Sequence, residues 1–182
     1  MPDLLEAVKN VVQSFTDDEP KPPLHIGEAM SCWLHLAAMA EATAYEQAAL
    51  NNTTDPELRK SLHEVVKMCD SQITRLRDFM VQEGVPSPPV SEPKPKSDAS
   101  AVPLGVKLTD DEIANGVSIK MVAAVVSCAT AASQSIRNDV GLMWIDFLQQ
   151  HLTYGMNLKT LMRKRGWLKV PPSYHPPGSP IQ

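Results

Sequence analysis

The chain has 182 residues, 43% hydrophobic and 5% aromatic, with 17 Lys and Arg against 21 Asp and Glu for a net charge of −4. That length supports one domain with a real core, and the interleaved charges leave no basic footprint for nucleic acid. Met1 to Phe15 lacks a signal-peptide core, no apolar run is read as a membrane span, and Cys32, Cys69 and Cys128 form no Cys-x-x-Cys. The expectation is a cytoplasmic protein with free thiols.

Leu4, Leu5, Val8, Val11, Val12 and Phe15 recur at helical spacing. They predict a short amphipathic leader helix, which with a proline-containing loop occupies residues 1–24. A long helix follows from about His25 to Leu50, with Ile26, Met30, Trp33, Ala37, Ala44 and Ala48 as its expected buried stripe. Thr54-Asp55-Pro56-Glu57 restarts the helix with a cap and a first-turn proline. The second helix turns Leu58, Leu62, Val65, Cys69, Ile73, Leu76 and Met80 inward and ends at Gly84.

Residues 85–108 are too rich in proline for a helix or an inner strand. Extended at ~3.1 Å per residue, such a segment reaches more than ~70 Å, whereas a 26-residue helix is only ~39 Å long. The segment is therefore a crossover that returns along the whole bundle. Thr109-Asp110-Asp111-Glu112 opens helix three, whose stripe is Ala114, Val117, Met121, Val125, Cys128, Ala132 and Ile136, ringed by small residues. Helix four runs from about Val140 to Arg165 and stops at Gly166. Lys159, Arg163, Lys164 and Arg165 complement its C-terminal dipole. Residues 167–182 then read as an extended proline-rich strap in which Trp167, Leu168, Val170 and Tyr174 seek cover.

The fold class is all-α: an antiparallel four-helix bundle over residues 25–166, with one long crossover between helices two and three. That connectivity is ferritin-like. Carboxylate-bridged di-iron bundles need Glu-x-x-His on two helices, and here Pro22, Cys32, Lys60, Leu148 and Pro172 stand three before His25, His35, His63, His151 and His175. Helix three also has no acidic residue between Glu112 and Asp139, which removes one wall of a metal cage. A two-metal centre is not expected.

His151 is the sharpest chemical candidate. It falls on the face of helix four centred on Trp144, Leu148, Gly155, Leu158 and Met162. Glu41 of helix one, on the edge of the stripe beside Tyr45, is its candidate partner across the core. Such a pair is a reduced metal site, a proton relay or a satisfied packing contact, and packing is the favoured reading. The gap beside Gly155 suggests a small-ligand pocket between helices one and four. His35 and His63 are placed toward solvent, while Cys69 and Cys128 serve as apolar core residues. No phosphate loop or nucleophile elbow is present.

The runs His25-Ile-Gly-Glu-Ala, Lys67-Met-Cys-Asp-Ser-Gln-Ile-Thr-Arg-Leu, Leu108-Thr-Asp-Asp-Glu-Ile-Ala-Asn, Ala132-Ser-Gln-Ser-Ile-Arg-Asn-Asp-Val-Gly-Leu and Arg165-Gly-Trp-Leu-Lys-Val-Pro-Pro carry a further likeness. They resemble a ferritin-like family, a domain of unknown function, from spore-forming Firmicutes and related to spore coat protein F. The resemblance extends from His25 to Pro177 and supplies no catalytic residues. It implies an antiparallel bundle, a link to the spore coat, and self-association as a homodimer or with coat proteins. The resulting expectation is a non-enzymatic structural or assembly protein with no cofactor, made in the cytoplasm and deposited on the spore. The alternative is a metal- or ligand-binding bundle using His151 and Glu41.

Overall fold

The computed structural model describes residues 20–174, 176 and 177. The leader helix expected before residue 20, His175 and the end of the strap lie outside the described residues. Four helices, α1 (Ile26–Leu50), α2 (Pro56–Gln82), α3 (Asp110–Gln134) and α4 (Asn138–Arg165), form the bundle, with a single 3-10 turn at Ala99–Ala101. Two short connections make α1 antiparallel to α2 and α3 antiparallel to α4, and these are the two most closely packed pairs. α1 also packs on α3, and α2 on α4, which closes the square.

The helix boundaries follow local chemistry. Asp55 accepts from the N–H groups of Glu57 and Leu58 at the start of α2, with Pro56 in the first turn. Thr109 and Glu112 form the capping box expected for α3. His25, which sequence spacing left without a partner, caps α1: its Nδ1 accepts from Gly27 and Glu28 while Glu28 bonds back to the His25 N–H. Gly84 and Gly166 take φ of 71° and 72°, the left-handed conformation that ends a helix without a Cβ penalty. The basic end of α4 also reaches α2, where Lys164 pairs with Glu57 and Arg165 with Asp55 and Glu57.

The crossover descends along α1, as its length requires. Ser91 Oγ donates to Glu41 (3.2 Å), the Lys94 N–H to Gln47 (2.7 Å), the Ser97 N–H to Asn51 (3.0 Å) and the Leu108 N–H to Asn52 (3.1 Å). At the far end, Trp167 and Leu168 pack on the core, and the Trp167 carbonyl accepts from Asn115. Val170 and Tyr174 remain exposed, so the strap covers less than its apolar residues suggested.

Helices α2 and α4 bury the faces their periodicity predicts. α1 does not. Its inward residues are Glu28, Cys32, His35, Leu36, Met39, Ala40, Ala42, Thr43, Glu46 and Ala49, while Ile26 and Met30 face outward. The large apolar side chains pulled the expected stripe off the true face, which is partly polar. On α3, Val125 and Ala132 are half-buried and Ile136 lies exposed beyond the helix. α3 is also long and apolar enough to cross a membrane by length and composition, contrary to the sequence expectation; 33% of its most apolar stretch is buried in the bundle.

Candidate functional site

The core is two apolar clusters stacked along the bundle. One contains Leu36, Leu76, Met80, Ala131, Val140, Trp144 and Phe147. The other contains Met39, Leu62, Val65, Val117, Met121, Tyr154 and Leu158. At the waist between them each helix contributes one polar or sulfur-bearing side chain: His35 from α1, Gln72 from α2, Cys128 from α3 and His151 from α4. All four are buried. Met68 and Leu76 stand one turn either side of Gln72, and Ala124 and Ala132 either side of Cys128, so the polar layer has apolar neighbours above and below.

A chain of hydrogen bonds runs from the surface to this layer and fixes its polarity. It starts at Asp146, which Arg75 pairs from α2. A carboxylate only accepts, so Gln150 presents its amide nitrogen to Asp146 (3.1 Å) and its oxygen inward. That oxygen accepts from Gln72 Nε2 (3.0 Å). Gln72 therefore turns its own oxygen to His35 Nε2 (3.5 Å). The proton of the His35 imidazole must sit on Nε2, which leaves Nδ1 as a bare lone pair. That lone pair faces Cys128 Sγ at 4.0 Å.

Aromatic rings enclose the same histidine. His35 lies edge-on to Trp144 at 5.1 Å, stacks on Phe147 at 5.7 Å and meets His151 at 5.9 Å between ring centroids. His151 is fully buried, and neither of its ring nitrogens has a hydrogen-bond partner among the described residues. Donor atoms of His35, Cys128 and His151 all fall within 4.8 Å of one another. Burial pushes both imidazoles down to about 4, the neighbouring His35 adding to the effect on His151. Burial also pushes the Cys128 thiol up to about 12. The site therefore holds two neutral imidazoles and a protonated thiol near neutral pH. These are uncharged donors with no carboxylate among them, suited to binding a soft cation.

The sequence located His151 correctly and misplaced its partner. Glu41 is exposed and accepts from Ser91 of the crossover, so it does not reach the core. His35, expected in solvent, is buried at the centre of the layer; His63 is exposed as expected. Gly155 faces α3 rather than α1, with the Met121 Cβ 4.0 Å from where its own Cβ would stand, so it does not open a pocket between α1 and α4. α1 buries two carboxylates, Glu28 in its first turn and Glu46 in the core. One oxygen of Glu46 lies 3.8 Å from Cys69 Sγ and the other has no partner. Burial raises it to about 7, against the pull of Lys120. Cys32, Leu36 and Met39 at steps of three and four were the signal for the true face of α1.

Known proteins share this sequence and fold. The model of the family described as "Protein of unknown function (DUF3231)" matches residues 13–179. "Uncharacterized protein YvdQ" of Bacillus subtilis strain 168 is 29% identical over 153 residues, covering 84% of this chain and 89% of that one. The crystal structure of a protein called "putative spore coat protein" from Bacillus halodurans C-125 superposes with a TM-score of 0.83 at 28% identity, over 85% of this chain and 97% of that one. A two-domain protein of Anabaena variabilis, containing DJ-1-like and ferritin-like domains, matches with a TM-score of 0.62 at 9% identity. That match covers 97% of this chain and 53% of the other, a likeness of fold alone, and it places this bundle among ferritin-like architectures.

Proposed function

The chain belongs to the DUF3231 family, and from that footing we propose that it is a structural bundle of the spore coat that works by pairing with a second copy of itself and carries no catalytic step. One observation bears most of the weight. The outward faces of α3 and α4 are apolar: Ile119, Val122 and Val126 on α3, and Leu142, Ile145, Leu152 and Met156 on α4, are all exposed. At about 100° per residue, Ile145 stands about 40° round from Gly141 and Leu152 about 60° round from Gly155. Those two glycines face α3, so the exposed residues lean toward the seam between the helices. From Ile113 to Ile136 the only charge on α3 is Lys120, whose ammonium turns to the Tyr45 ring of α1. A continuous uncharged face of this kind is what one protomer offers another.

The likeness to the Bacillus halodurans protein supports the spore coat as the setting, and synthesis in the cytoplasm before deposition is part of the same reading. Size-exclusion chromatography with light scattering tests the assembly. The expected result is a dimer that Val126→Glu with Leu152→Glu converts to a monomer of unchanged helical content. A strict monomer of the natural chain at high concentration would sink the reading.

A further inference from the structure

The assembly reading leaves the waist of the bundle unused. A wholly buried histidine with both ring nitrogens unpartnered is rare, because buried polar groups are almost always satisfied. His151 is such a residue, and it stands beside two donors with which it could share a ligand. We propose that His35, Cys128 and His151 bind a single copper(I) ion at the waist of the bundle.

The geometry is close to that of a bound state. Metal bonds of ~2.3 Å to sulfur and ~2.0–2.1 Å to nitrogen, at trigonal or tetrahedral angles, separate the S and N donors by about 3.6–3.8 Å. Cys128 Sγ and His35 Nδ1 stand at 4.0 Å, and all three donors lie within 4.8 Å. Side-chain rotations of an ångström or less close the set. The His35 lone pair already points at the sulfur, since Gln72 holds the proton on the opposite nitrogen. A metal-bound histidine commonly has this outer support. His151 gains a partner for one of its unpartnered nitrogens.

Charge selects the cation. On binding, copper(I) replaces the thiol proton of Cys128, which leaves to solvent; no electron is transferred. The resulting unit of Cu⁺, one thiolate and two neutral imidazoles has zero net charge. A divalent ion would leave a positive charge in a layer walled by Trp144 and Phe147. Thiolate and imidazole donors in a three-coordinate set also suit a soft monovalent ion.

Anaerobic titration with copper(I) against a chromophoric chelator, with metal content read by mass spectrometry and ligands by X-ray absorption, tests the assignment. One copper per chain is expected, bound by one sulfur and two nitrogens. His151→Leu should weaken binding more than ~100-fold, while Gln72→Leu, which removes only the outer support, should weaken it ~10- to 100-fold. His151→Leu replaces an unsatisfied polar ring with an apolar side chain, so it should fold, and circular dichroism checks that. Cys69→Ser and Cys32→Ser should keep full stoichiometry. Copper binding that survives His151→Leu, or that disappears equally in Cys69→Ser, would overturn the site. Zinc bound by the same three residues with copper(I) rejected in competition would overturn the charge argument and the choice of ion.

Discussion

The buried carboxylate of Glu28, in the first turn of α1, holds the backbone of Arg137 at the start of α4. Its Oε1 accepts from the Arg137 N–H at 3.0 Å and from the Ile136 N–H at 2.9 Å. Its other oxygen accepts from the His25 N–H that opens α1. One side chain thus serves two helix starts more than a hundred residues apart. The Arg137 side chain makes no cap bond to α4, Asp139 Oδ1 accepts from the Val140 N–H in the first turn, and Glu28 fixes the chain that leads into the helix from across the bundle. Arg137 then turns its guanidinium to Glu83 (2.7 and 2.8 Å) and Asp139 (2.7 and 3.0 Å), tying the end of α2 to the same corner. That guanidinium holds the Asp139 carboxyl down at about 2.

Glu28→Ala removes the acceptor of three N–H donors, those of His25, Ile136 and the buried Arg137, and should lower stability by about 2 to 4 kcal/mol. Glu28→Gln should lie between Ala and the natural residue. It can still accept from Ile136 and Arg137, but its amide NH₂ would oppose the His25 N–H. Urea denaturation gives the order. Hydrogen exchange should localise the loss, with the Ile136 and Arg137 amides exchanging faster in Glu28→Ala than the centre of α2. Unchanged protection at those two amides would refute the shared-cap account.

At Gly116 of α3 the space for a side chain is taken by the Tyr45 hydroxyl of α1, and a Cβ placed there would fall inside van der Waals contact with it. The Lys120 ammonium, one turn on from Gly116 along α3, lies 3.8 Å from the Tyr45 ring centroid. Gly116→Ala gains helix propensity of ~1 kcal/mol and incurs overpacking of ~1 to 3 kcal/mol. A net loss of up to about 2 kcal/mol is expected. In a Tyr45→Phe background the hydroxyl is gone, and the same Gly116→Ala change should cost less, although the ring Cζ still stands 3.0 Å from the new Cβ. A double-mutant cycle by thermal or urea denaturation reads the coupling; additivity of the two substitutions would exclude the contact as the reason for the glycine.

The contrast between legible and hidden features has a physical cause. Leu58, Leu62, Val65, Cys69 and Leu76 bury the face that their spacing marks, because α2 separates apolar from charged residues cleanly. The crossover and its pairing of helices followed from chain length against helix length. His151 could be placed because α4 has a distinct polar stripe opposite it. α1 has no such contrast: it buries Glu28, His35, Thr43 and Glu46 while exposing Ile26, Met30 and Leu34. Periodicity weighted by hydrophobicity therefore selects the outer face and sets Glu41, not Glu46, nearest the expected core. The polar waist is invisible to such a reading because each helix contributes only one member, and only the tertiary fold brings the four together.

Three displaced titrations of the core, those of His35, His151 and Glu46, fall in the weakly acidic range and predict how stability of the metal-free protein varies with pH there. His35 and His151 have their folded values pushed from the ordinary 6.5 down to about 4 by burial. Between pH 4 and 6.5 the unfolded chain binds both of those protons and the folded chain does not, so each histidine lowers stability as pH falls through that window. Glu46 has the opposite sign. Its folded value is raised from 4.5 to about 7 by burial, so between those limits the folded chain holds the extra proton and stability falls as pH rises. From pH 4.5 to 6.5 the balance is two protons against one, a net rise of roughly 1.4 kcal/mol per pH unit. Above 6.5, of these three groups only Glu46 still differs in protonation between the two states, and their combined trend reverses. These groups place a stability maximum near pH 6.5, read by urea denaturation at half-unit steps. Glu46→Gln removes the opposing proton, so its slope below pH 6.5 should roughly double and its decline toward pH 7 should vanish. His151→Leu should flatten the same region to near zero. A natural protein whose stability is level from pH 4.5 to 6.5, with Glu46→Gln also level, would show that the two histidines are not held neutral in the fold.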